Sequence, residues 1–150
     1  MRFTVFLHMV GIGLWLGGAV AAVLLGGTVA SEPEAARAQV HRLFGRLYAW
    51  LVAPGAMLAV GSGLALAMMV ASAGGGERLG EPGVAAMQAT GFLAGLIELF
   101  VSFPMSQRLA RLADAGAPAV ALDMLRRRVI GVTSAALLFL LVALYLGVVS

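Results

Sequence analysis

The chain has no cysteine and no lysine, and only 11% of its 150 residues are charged. The missing cysteines exclude disulfides, thiolate metal sites and cysteine-held iron–sulfur clusters. The scarcity of charge excludes an ordinary soluble domain, in which about a quarter of residues are charged. Hydrophobic residues make up 61% of the chain, and a water-soluble fold would lack the polar surface to cover them. Lipid is the solvent that suits such a composition. Soluble-enzyme motifs are missing as well: no P-loop, no HExxH, no CxxC, and no GxGxxG that opens a helix after a strand. The net charge of +3 lies in short segments beside apolar runs. Membrane topology accounts for it there, and nucleic acid is not an expected partner.

What is present is four long apolar runs. Three are free of Asp, Glu, Lys and Arg: between Arg2 and Glu32, between Arg46 and Glu77, and from Arg128 to Ser150. Each reaches the roughly 20 residues that a helix needs to cross a bilayer. A fourth run, Val84 to Met105, is interrupted only by Glu98. In lipid every backbone group must be satisfied within its own segment, which selects helices. The alternating polar residues of a membrane β-barrel do not occur. The expected fold is all-α, an integral membrane four-helix bundle forming a single transmembrane domain over residues 1–150, with helices at about 3–29, 43–71, 84–105 and 129–150.

The connections have their own signals. A polar loop is expected at 30–41, and Gly74-Gly75-Gly76 should break the second helix. The third helix should run on past the apolar run through Arg108 and Arg111, to a turn at Ala115-Gly116-Ala117-Pro118. The fourth should begin near Ala119, and no internal repeat stands out. The first and third connections, with their flanks, hold Arg37, Arg42, Arg46, Arg108, Arg111, Arg126, Arg127 and Arg128, whereas the other side holds only Arg2 and Arg78. The positive-inside rule then gives an N-out/C-out topology. The first apolar run continues to Val29, too long for a signal-peptide core, and is expected to be retained. An arginine-only, Ala/Gly-rich chain points to a GC-rich bacterial genome, and so to a multi-pass protein of the bacterial inner membrane.

Small-xxx-small pairs at Gly13/Gly17 and Gly91/Gly95 are candidate helix contacts. Glycine is abundant enough that chance is the alternative. Ionisable residues inside the spans are the candidate working groups. His8 shares a stripe with Gly11, Trp15, Gly18 and Ala22, and should face the bundle near the outer surface. It is either a ligand or a histidine wetted at the interface. Glu98 shares a stripe with Gly91, Gly95, Ser102 and Met105. A charge there costs roughly 2.5–3.5 kcal/mol on insertion scales. Glu98 therefore either carries its proton or pairs with a cation, and Arg46 is the nearest candidate.

His41, Arg42 and Arg46 form a basic cluster which, with Tyr48 and Trp50, suits a propionate, a phosphate or a lipid headgroup. A topology anchor with an aromatic belt is the plainer reading. Met9, Met68, Met69 and Met87 fall at the depth of His8. Thioether and imidazole suit copper(I) or haem iron, although methionine also fills irregular cores. His8 and His41 lie near opposite faces, on the order of 30 Å apart by helical rise, and cannot share one haem.

Two stretches resemble known families. Phe6-Leu7-His8-Met9-Val10-Gly11-Ile12-Gly13-Leu14-Trp15-Leu16-Gly17-Gly18 resembles the first helix of CopD-type copper-resistance membrane domains, in which a histidine precedes Trp-Leu-Gly-Gly. Arg46-Leu47-Tyr48-Ala49-Trp50-Leu51-Val52-Ala53-Pro54 resembles the second helix of HemJ-type protoporphyrinogen oxidases. The latter resemblance implies His8 as a haem b ligand, and the former implies copper handling. In the third helix HemJ-type proteins carry a lysine, whereas this chain has Leu96-Ile97-Glu98-Leu99. The expected function is haem b or copper handling through His8, in a redox or transport role. The contrasting expectation is a non-catalytic accessory or assembly subunit packing against a larger membrane complex, for which no cofactor is required. A homo-oligomer is compatible with either.

Overall fold

The apolar runs fold as helices, and in the computed structural model these helices extend past the apolar stretches. Residues 1–149 are described, with backbone alone at positions 30, 34 and 35, and no strand occurs among them. Helix α1 spans Arg2–Thr28 and closes in a 3-10 turn, Val29–Ser31. Helices α2 (Glu34–Leu47), α3 (Ala53–Val70) and α4 (Gly76–Leu79) form a second rod. Helices α5 (Pro82–Ile97) and α6 (Phe103–Asp114) form a third, and α7 (Ala119–Val149) is the fourth. All four rods are long and apolar enough to cross a membrane. Ser150, the expected end of the last span, lies outside the described residues.

The expected loop at 30–41 is mostly helix, which corrects the start of the second rod. Pro33 stands at the N-cap and α2 begins at Glu34. Hydropathy misses this turn because α2 is amphipathic. Its His41, Phe44, Gly45 and Tyr48 form a buried stripe at helical spacing. At the other end of the rod the chain leaves the helix at Gly74, whose φ of 85° only glycine adopts readily. The third rod ends in a Schellman turn: Gly116 has φ 69° and the Ala117 N–H bonds the Leu112 carbonyl at 3.0 Å.

Two wide π turns interrupt the middle rods, at Tyr48–Val52 and Glu98–Ser102. The Ala53 N–H bonds the Tyr48 carbonyl and the Phe103 N–H bonds the Glu98 carbonyl, each reaching one residue further back than in an α-helix. A proline follows each, Pro54 and Pro104. Proline has no N–H to give and its ring crowds the carbonyl four residues back, so a widened turn beside it relieves both problems. Gly45, Trp50 and Pro54 are spaced as Gly95, Phe100 and Pro104 are. The two rods therefore share a short motif that has no meaning as a repeat until the wide turns are seen.

The rods change partners at these turns. On the far side α3 packs on α1 and α5 packs on α7, whereas on the arginine-rich side α2 packs on α6. Helices α1 and α3 meet backbone to backbone. A Cβ on Gly11 would lie 2.5 Å from the Ala59 nitrogen, and one on Gly55 would lie 2.5 Å from the Trp15 nitrogen. Gly13 and Gly17 face open space. The close approach thus uses Gly11, Gly18 and Gly55, and not the expected Gly13/Gly17 pair. Gly95 does sit in a contact, against Val60 of α3. Trp15, Ala19, Phe44, Tyr48, Val52, Leu109, Val129 and Leu140 belong to the buried core.

Candidate functional site

Every rod sends a polar side chain to one buried place. Trp15 of α1 is 1% exposed, and Tyr48, Glu98, Ser102 and Thr133 are each 0% exposed. Tyr48 and Glu98 each open a wide turn, which is why they and the residues one turn on, Val52 and Ser102, point inward together. The Tyr48 and Thr133 hydroxyls share a hydrogen bond. The indole N–H of Trp15 approaches the Glu98 carboxyl without closing a hydrogen bond. Neither carboxyl oxygen of Glu98 has a hydrogen-bond partner, and the Ser102 hydroxyl has none.

Ser102 and Ser106 follow Glu98 at one-turn intervals, both 0% exposed. Ser106 donates to the Phe103 carbonyl at 2.7 Å. The row ends where Gln107 donates to the Gly45 carbonyl at 2.8 Å. Arg46 takes no part. It is exposed, and the ion pairs among the described residues are Arg42–Asp114 at 3.2 Å, Arg127–Asp123 at 2.8 Å, and Arg126–Asp123. The expected Arg46–Glu98 pair does not form. Two residues before Tyr48, position 46 is on the face of the helix opposite the buried stripe.

His8 is half-buried between α1 and α3. Its Nδ1 lies 2.8 Å from the Ala59 carbonyl and 3.2 Å from the Ser62 hydroxyl. A carbonyl only accepts, so Nδ1 is the donor, and in the neutral ring that leaves the lone pair on Nε2. That suits a single ligand to haem or copper, because ligating histidines commonly donate their other nitrogen to a carbonyl. The thioethers do not join it. Met9 and Met68 are 61% and 66% exposed. The Met69 sulfur meets the Thr4 hydroxyl at 3.9 Å, and the Met87 sulfur lies beside Gly147. Among the described residues no group of three or more His, Cys, Asp or Glu side chains forms a metal site. The residues fit one bond to a cofactor, and the copper-binding set expected from depth alone is not assembled.

His41 is separated from Arg42 and Arg46, which corrects the expected basic cluster. It is 3% exposed, with neither ring nitrogen partnered. Burial first, then the Arg126 guanidinium, hold its pKa below the ordinary 6.5. Arg126 is itself buried and ties α7 to α1 through the Gly26 carbonyl, while also bonding Asp123. Thr133 and Arg126 were absent from the sequence-derived site, Trp15 entered only on the His8 stripe, and Tyr48 was placed with the basic cluster instead of with Glu98. The inward direction of Tyr48 could have been found from the His41–Phe44–Tyr48 spacing. Thr133 and Arg126 gave no signal beyond being polar residues in α7.

No protein-family model, curated protein or solved structure matches the chain.

Proposed function

We propose that this is a multi-pass protein of the bacterial inner membrane, N-out/C-out, whose working group is Glu98, binding and releasing a proton inside the bundle. The observation that carries this reading is a carboxyl at 0% exposure with no cation and no hydrogen bond to either oxygen. A charge at such a depth is costly, so the resting carboxyl keeps its proton and yields it only to a relay. Ser102 and Ser106 extend from it toward the arginine-rich end, which the positive-inside rule assigns to the cytoplasm. On the other side Thr4, His8 and Ser62 are the polar groups between α1 and α3, with the buried Trp15 further in toward Glu98. The test is proton movement into liposomes carrying the purified chain and an internal pH dye. The wild type should collapse an imposed pH gradient, and Glu98→Gln, which keeps the shape, should leak no faster than empty liposomes. Equal rates for Glu98→Gln and wild type would overturn the proposal.

A second reading, haem b or copper handling at His8, is favoured by the Nδ1–Ala59 bond. Haem would supply electron transfer when bound. Since the chain offers one imidazole and no converging methionine, the second ligand would come from a partner copy or a larger complex. A Soret band, or bound copper, that His8→Ala removes would support it. Purified protein that carries neither and takes up neither leaves the accessory-subunit reading in its place.

A further inference from the structure

Where α2 crosses α6 the helices nearly touch: a Cβ on Gly45 would sit 2.8 Å from the Ala110 Cβ. Beside this crossing lies a groove of about 250 Å³, lined by Arg42, Arg46, Arg111, Gln107 and Asp114 over a floor of Gly45, Ala49 and Ala110. Two of its polar groups are already engaged. Arg42 bonds Asp114 at 3.2 Å, and the Gln107 side-chain nitrogen donates to the Gly45 carbonyl. Arg46 and Arg111 are both exposed and have no ion pair among the described residues. They leave two guanidinium forks on opposite walls of a groove whose floor is small enough to admit a ligand. Trp50, one turn beyond Arg46, is 78% exposed. An exposed indole at the edge of an apolar span marks the level where headgroup phosphates lie.

We propose that this groove binds a phosphate group between Arg46 and Arg111. The planar forks match phosphate oxygens in pairs, and the single acid, Asp114, is occupied by Arg42. The phosphate belongs either to an anionic phospholipid or to a small phosphate-bearing solute. The site is independent of Glu98, and His41 has no part in it because its ring is buried beside Arg126.

The test uses the full chain in detergent. It is titrated with phosphatidylglycerol, read by native mass spectrometry, and separately with inorganic phosphate, read by phosphorus NMR. The variant is Arg46→Lys with Arg111→Lys. Lysine keeps the charge that sets topology and the general attraction for anions, but loses the fork. Both positions are exposed, so folding should survive, and the single lysine variants repeat the measurement if the double does not fold. The double variant should weaken binding at least about fivefold, while Arg78→Lys at the opposite end leaves it unchanged. Saturable lipid binding without phosphate binding identifies a headgroup site, saturable phosphate binding identifies a solute site, and either upholds the proposal. Wild-type affinity in the lysine variants, an equal loss in Arg78→Lys, or saturation by neither probe overturns it.

Discussion

Replacing Gly11 and Gly13 separately by alanine makes the same chemical change on opposite faces of α1. At Gly11 the new methyl would meet the Ala59 nitrogen at 2.5 Å and its Cα at 2.9 Å. Those are backbone atoms and cannot rotate aside. Carbon contacts settle at about 3.5–4.0 Å, so the two helices must part by roughly 1 Å at the crossing. Parting them also loosens Gly55 from Trp15 and stretches the His8–Ala59 bond. Overpacking of this kind costs about 1–3 kcal/mol. At Gly13 nothing lies within 4 Å, and alanine gains up to about 1 kcal/mol in helix propensity. Reversible denaturation in mixed detergent–SDS micelles measures both. SDS-denatured chains keep helix, which shrinks the Gly13→Ala gain toward zero but leaves the Gly11→Ala cost intact. A Gly11→Ala protein as stable as wild type, or less harmed than Gly13→Ala, would refute the backbone contact between α1 and α3.

Other outcomes follow from the buried polar groups. Tyr48→Phe strands the Thr133 hydroxyl and Thr133→Val strands that of Tyr48, each at a cost of about 1–3 kcal/mol. The double substitution should recover much of the loss, and strictly additive losses would show that the hydroxyls are not coupled. His41 makes stability depend on pH. Its pKa is lower in the folded chain than the ordinary 6.5, so the unfolded chain binds more protons below that value. Stability should therefore fall as pH drops through about 6.5 toward the folded pKa. His41→Leu should flatten that part of the curve, and an unchanged slope would exclude His41 as its source. Asp123, whose carboxyl the Arg126 hydrogen bond holds below its usual 3.8, loses its contribution only at lower pH still.

The four long apolar helices were legible because composition and run length mark them strongly, as in Val129–Val149. The inward direction of Glu98 was legible for a related reason, since its stripe carries Gly95 and Ser102. Readings that brought two residues together needed the azimuth of both, and those failed. Arg46 and Glu98 lie toward the same end of the bundle but on faces that do not meet, and Met9 is level with His8 yet turned away from it. The glycine reading failed in the same manner: Gly13 and Gly17 have contact spacing, but the approach runs through Gly11 and Gly18, two turns apart. The wide turns were hidden because Pro54 and Pro104 mark a disturbance without saying whether the helix kinks, breaks or widens. Once each turn adds a residue, every later position rotates, and the partner of each rod changes with it.

That exchange of partners gives the bundle the form of a pair of tongs. One arm is α1 with α3 and the other is α5 with α7; between the arms α1 also meets α7, while α3 meets α5 only sparsely, with Val60 against Gly95. At the arginine-rich end α2 crosses α6 and Arg126 bolts α7 to Gly26 of α1. Any spreading of the arms is then greatest at the tips and least beside the rivet. Glu98 lies at the wide turn, where the arms begin. A small hinge movement there would change the polarity around the carboxyl by parting Val60 from Gly95, while the tips would travel further.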